Sequence, residues 1–193
     1  MNDKKFISNS HFMLSDNFLQ LVENILIEIV KNQNVDIYIG SPREDIREHY
    51  QELTKWSDFR ILVPTLFNFF HGIELLLKAS NYKKNIPIKK LNHNLEQLFI
   101  DFKKNYPDSR VITDILHNYI HPSGESNILK AFYKSNDISN SSKFYEVFKY
   151  PFSKDLQIQV NYGKLNHLYN EGISFFQQFI IDIQTIRNET KKL

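Results

Sequence analysis

Apolar residues recur at helical intervals over most of the chain. Phe18, Leu21, Val22, Ile25 and Ile29 follow Ser15 at spacings of three and four, which predicts a first helix capped by Ser15 and running to about Lys31. Val35, Ile37 and Ile39 then alternate with Asp36 and Tyr38, the period of a short strand. Ser41-Pro42-Arg43-Glu44 offers a capping hydroxyl, a proline at the first helical position and a glutamate able to reach back to the cap amide, so a second helix is expected to about Trp56. The longest apolar-rich stretch, Phe59 to Ala79, carries bulky residues almost all round and Pro64 near its start. That is the pattern of a central helix packed on several sides.

Beyond a lysine-rich loop, Asn92 or Asn94 is placed to cap a helix with Leu95, Leu98, Phe99 and Phe102 on one face. Pro107 and Asp108 restart the chain into a helix whose apolar face is Val111, Ile112, Ile115, Leu116 and Tyr119, with Pro122 as its stop. Residues 126–134 suit one more short helix, and the polar run 135–143 suits a mobile loop. Leu156, Ile158, Val160 and Tyr162 alternate with Gln157, Gln159 and Asn161, which predicts a strand. Its expected mate is 35–39, because neither segment is stable alone. A long helix from Leu165 to about Glu189 closes the pattern. The expected fold class is all-α: a helical bundle of about five to seven helices with a small two-stranded β ribbon, in a single domain over 1–193 without repeat or linker.

Composition narrows the function classes. The chain has 193 residues, of which 41% are apolar and 24% charged, so one globular domain is the default and disordered or fibrous classes are excluded. No apolar run approaches the roughly 18 residues of a membrane span and the first residues lack secretory-signal features, so a cytoplasmic location without membrane contact is expected. The absence of cysteine removes disulfides, thiolate nucleophiles and Cys-ligated zinc, leaving His and carboxylates as the only metal ligands. No G-x-S-x-G turn, Walker loop, G-x-G-x-x-G fingerprint or H-E-x-x-H pair occurs, which disfavours serine hydrolases, P-loop NTPases, Rossmann enzymes and zincins. The net charge is +2, yet residues 78–104 hold seven Lys against Glu96 and Asp101. Such asymmetry suits a surface for an acidic partner such as nucleic acid, and equally suits solubilising charge around a loop.

Two constellations can carry chemistry. His71, Glu74 and Lys78 lie at spacings of three and four on one stripe of the central helix. One reading is a Glu74–Lys78 pair within a buried-edge network; the other is a pocket in which His71 and Lys78 face an anion or a base edge. On the later helix Arg110, Asp114, His117 and His121 share a face. Asp114, His117 and His121 can offer two imidazoles and a carboxylate to a divalent metal. Alternatively, Arg110 can hold a phosphodiester while His117 exchanges protons with the attacking or leaving oxygen.

The segments FNFFHGIELLLKA at 67–79, HNLEQLF at 93–99 and FKYP at 148–151 together resemble the HEPN family of small helical domains found in prokaryotic toxins and defence systems, over roughly residues 59–190. The resemblance implies an up-and-down bundle that dimerises. In active members it implies a metal-independent, cofactor-free endoribonuclease in which an R-x4-6-H motif acts on RNA through the RNA's own 2′-hydroxyl. Arg110 and His117, with six residues between them, fit the loosest form of that motif, although Val111 follows the Arg where a polar residue is usual. Arg187-Asn188 has the usual dipeptide but no downstream His. The expected catalytic pair is therefore Arg110 and His117, with His71, Glu74, Lys78, Lys83, Lys84, Lys89 and Lys90 as substrate-binding residues. RNA is the expected substrate of a homodimer. The alternative is a catalytically silent module that binds a partner protein or a nucleotide.

Overall fold

The computed structural model describes residues 2–35, 46–85, 93–121, 127–138, 147–149, 159–166 and 169–193. Helix α1, Asn2–Lys31, starts well before Ser15, which lies in mid-helix and is buried. The Ser15 hydroxyl donates to the carbonyl of Gly72, 2.7 Å away, and two turns earlier Ser8 donates to the carbonyl of Ala79 at 3.0 Å. Seven residues along α1 therefore correspond to seven residues back along α3, Asp58–Lys83, so the two helices run antiparallel in close register. Ser15 looked like a cap because polar residues before an apolar run usually are; here the neighbouring helix claims its hydroxyl. At the far end Asn34, with φ 50°, clamps Asp58. Its side chain donates to the Asp58 carboxylate (2.9 Å) and accepts from the Asp58 amide (2.7 Å), tying the exit of α1 to the start of α3.

Helix α2 is Ile46–Leu53, so the Ser41-Pro42 start lies outside the described residues. The central helix carries Pro64 on its exposed side, and almost everything from Phe69 to Asn81 is buried. Asn94 caps α4, Leu95–Asn105, by accepting from the Gln97 amide. Helix α5 is Arg110–Ile120, α6 is Asn127–Ser135 and α7 is Tyr169–Thr190. The ring of Phe69 marks the middle of the core: Tyr119 of α5 and Phe179 of α7 lie 5.0 and 4.7 Å away edge-on. Tyr119 in turn donates to Asp182 of α7 at 2.6 Å. A second aromatic row runs from Phe70 through Phe148 and Phe132 to Tyr162, ring on ring. By length and composition the 48–83 segment suffices to cross a membrane, but in the bundle its apolar residues face α1, α4, α5 and α7.

The β ribbon is not seen, and no strand occurs among the described residues. Residues 36–39 and 156–158 lie outside them. Where the second strand was expected to end, Tyr162–Leu165 is a 3-10 turn capped by Asn161. The Asn161 backbone is already taken: the Asn136 side chain donates to its carbonyl (3.1 Å) and accepts from its amide (2.7 Å). A side-chain amide thus fills the two positions a partner strand would occupy. Of the expected mobile loop, 139–143 lies outside the described residues, while 136–138 forms the turn that positions Asn136.

Candidate functional site

Helix α5 opens with Arg110, directly after Ser109, and has no acidic residue in its first turn. An exposed cation at a helix N-terminus opposes the macrodipole, a local cost of a few tenths of a kcal/mol. The side chains of Arg110, Asp114 and His117 are exposed and make no hydrogen bond or ion pair among the described residues. Arg110 and His117 share a face but sit seven residues apart, about 10.5 Å of rise. Within one chain they are not brought together.

His117 lines a solvent-open depression of about 470 Å³ between α4 and α5, together with Lys103, Thr113, Asp114 and Asn118. Arg110 is not part of its wall. The Thr113 hydroxyl donates to the Ser109 carbonyl, 3.0 Å away, which leaves the Asn118 amide, the His117 imidazole and the Lys103 ammonium as donors. Lys103 leans back over the Phe99 ring, 5.6 Å from its centroid, and is thereby held at the wall. Sequence reasoning counted Lys103 only as charge; its position opposite His117 follows from the α4–α5 turn, which no local pattern reveals.

The metal alternative fails on geometry. Among the described residues no three His, Asp or Glu side chains are grouped to hold an ion. His121 is the extended C-cap of α5, and its ring lies nearly parallel to that of His117, 4.9 Å between centroids. Stacked faces present π clouds to one another instead of converging nitrogen lone pairs.

The lysines gather at one end of the bundle. Asn105 donates to Asn81 and Tyr106 to the Ser80 carbonyl (2.9 Å), so the C-terminal ends of α3 and α4 meet. Lys84 lies 4.9 Å over the Tyr106 ring, and Lys83 reaches the Leu193 carbonyl. Lys83, Lys84, Lys103 and Lys104 thus approach the junction that leads into Arg110, whereas Lys89 and Lys90 lie outside the described residues.

The central stripe is built inward. Glu74 is 1% exposed, and Lys78 donates to its Oε1 at 2.6 Å, the i,i+4 pair anticipated from spacing. His93, from the residues that open α4, donates from Nδ1 to the same oxygen at 2.9 Å. The cluster therefore fastens the start of α4 to α3. Glu74 Oε2 is buried without a partner among the described residues. His71 sits against Phe18 and Phe67, and burial pushes its pKa below the usual value, opposed by Glu74 and reinforced by Lys149.

Arg187 has a different occupation: it binds Asp16 through Nε (2.7 Å) and Glu23 through Nη1 (2.6 Å) on α1, and the Asp16 bond foremost raises its pKa. It is a clamp between α7 and α1. Compared with known proteins, the chain matches no family model, no curated protein and no solved structure, so what can be said of this site rests on its own side chains.

Proposed function

We propose that this chain is a HEPN-like helical protein of a bacterial defence or toxin–antitoxin system, a homodimer that cleaves RNA without a metal. The observation that carries the reading is His117: an exposed imidazole with no side-chain hydrogen bond among the described residues, on the wall of an open polar depression. An imidazole whose nitrogens hold no hydrogen bond among the described residues can take the 2′-hydroxyl proton as the O2′–P bond forms; the P–O5′ bond then breaks and the departing O5′ receives the proton back. The products are a 2′,3′-cyclic phosphate and a 5′-hydroxyl. Arg110 neutralises the non-bridging oxygens as charge develops. Because the two groups are two turns apart on α5, Arg110 comes from the second copy.

The test is incubation of pure protein with total RNA in EDTA, with end-group analysis. Cyclic phosphate ends are expected, and Arg110→Ala or His117→Ala lowers the rate by about a hundredfold or more. Parental rates in both variants refute the assignment. The position of Arg110 outside the depression favours a second reading, a catalytically silent module that binds a nucleotide or a partner protein through Lys83, Lys84 and the basic end of the bundle. An inert parental protein favours that reading.

A further inference from the structure

We infer that Lys103 is the cation that seats the scissile phosphodiester against His117, so each copy holds the substrate phosphate with groups from α4 and α5 of its own chain. The inference rests on the RNA reading and deepens it, since neither sequence motif nor resemblance singles out Lys103.

The depression between α4 and α5 has two walls of different chemistry. Lys103 supplies the one ammonium in its lining, on the last turn of α4; Thr113, Asp114, His117 and Asn118 stand on two successive turns of α5. A phosphodiester needs charge on one non-bridging oxygen, a hydrogen-bond donor on the other, and a proton acceptor beside the 2′-hydroxyl. Lys103, the Asn118 amide and His117 supply these three in order as the substrate binds, and Arg110 of the second copy adds its charge as the transition state forms. The cation–π contact with Phe99, itself buried, limits how far the Lys103 side chain must be ordered on binding. The volume, about 470 Å³, takes one nucleotide and leaves the flanking strand to cross the lysines at the ends of α3 and α4.

Asp114 is the discordant member. Its carboxylate faces the same space and opposes an anion, so a phosphate seat there has its full affinity only when Asp114 is neutralised. Asp114→Asn is therefore expected to strengthen the seat.

The probe is a short single strand carrying 2′-O-methyl groups, which binds but cannot be cut, followed by fluorescence anisotropy over a salt series; cleavage of the unmodified strand is measured in parallel. Lys103→Ala is expected to weaken binding about tenfold, to flatten the slope of log K against log salt by about 0.7, the share of one phosphate contact on a single strand, and to slow cleavage at least tenfold. Lys103→Arg restores most of both, Asp114→Asn tightens binding, and Lys31→Ala, on a lysine paired with Glu28 at the end of α1, changes neither. Cleavage and binding at parental levels in Lys103→Ala overturn the inference and leave the nuclease reading standing. A parental protein that cuts nothing, yet binds the strand in a Lys103-dependent way, overturns the nuclease reading and supports the phosphate seat. Neither binding nor cleavage overturns both.

Discussion

Replacing Gly72 by Ala tests how tightly α1 and α3 are apposed. In an ordinary helix interior the exchange stabilises by about 1 kcal/mol, because glycine loses more backbone entropy on folding. Here an added Cβ would stand 3.2 Å from the Phe18 Cβ and 3.3 Å from Leu19 Cγ and Cδ2. Carbon pairs prefer about 3.5–4.0 Å. The Leu19 tip can turn aside, but Phe18 Cβ is fixed to the α1 backbone, so the helices must part by a few tenths of an ångström. That movement also stretches the Ser15–Gly72 hydrogen bond, worth about 1 kcal/mol. Overpacking of this kind costs about 1–3 kcal/mol. Set against the helix-propensity gain, the net is a loss of up to about 2 kcal/mol. With about 2.1 cal/mol/K of unfolding entropy per residue, a chain of 193 residues has about 0.4 kcal/mol/K, so Tm falls by up to about 5 °C. Thermal and urea unfolding followed by far-ultraviolet circular dichroism measures it, with Ser15→Ala and the double variant completing a cycle in which the two losses are not additive. A Gly72→Ala protein that melts at or above the parental temperature refutes the close-approach argument.

Arg187→Ala leaves Glu23 to Gln184 and half-exposed Asp16 to water, and is expected to cost about 1–2 kcal/mol in urea unfolding; Arg187→Lys recovers less than half, because one ammonium does not reproduce the fork that reaches both carboxylates. His71 binds a proton less readily in the folded chain than in the unfolded one, whose value is near 6.5. Stability therefore falls as pH drops through 6.5 and levels off below the lowered folded value, and a pH series of unfolding midpoints shows that limb flattened in His71→Gln. Tyr119→Phe removes the half-buried bond to Asp182 and is expected to cost about 1 kcal/mol by the same unfolding assay. Sedimentation equilibrium at high micromolar concentration is expected to return twice 23.0 kDa; the monomer mass there refutes the homodimer.

Periodicity made the helices legible because their apolar stripes are read by neighbours three and four residues away. The faces of α4 and α5 and the Asn94 cap follow from such local spacing. What was not legible depends on partners distant in sequence. Ser15 has the composition of a cap and the location of a crosslink, and the alternation around Val160 ends in a turn because Asn136 satisfies Asn161. At the candidate site, spacing put Arg110 and His117 on one face and paired Glu74 with Lys78, but the second partner of Glu74 is His93, 19 residues on. Lys103 became distinct from its neighbours only when the turn at Tyr106 folded α4 back beside α5.

The Arg187 clamp also bears on the order of events during synthesis. Its partners, with the Gln184–Glu23 bond, join residues 161 to 171 positions apart, whereas the Ser15–Gly72 and Ser8–Ala79 bonds span 57 and 71. A nascent chain can lay α1 against α3 early, while the carboxylates of Asp16 and Glu23 and the apolar groove beside them still face water. The groove closes only when the 169–190 helix has left the ribosome and docked, so a stalled or truncated chain displays a charged-edged apolar trough, the kind of surface that chaperones and proteases recognise. Residues so far apart in sequence thereby report whether the 169–190 helix has docked on α1.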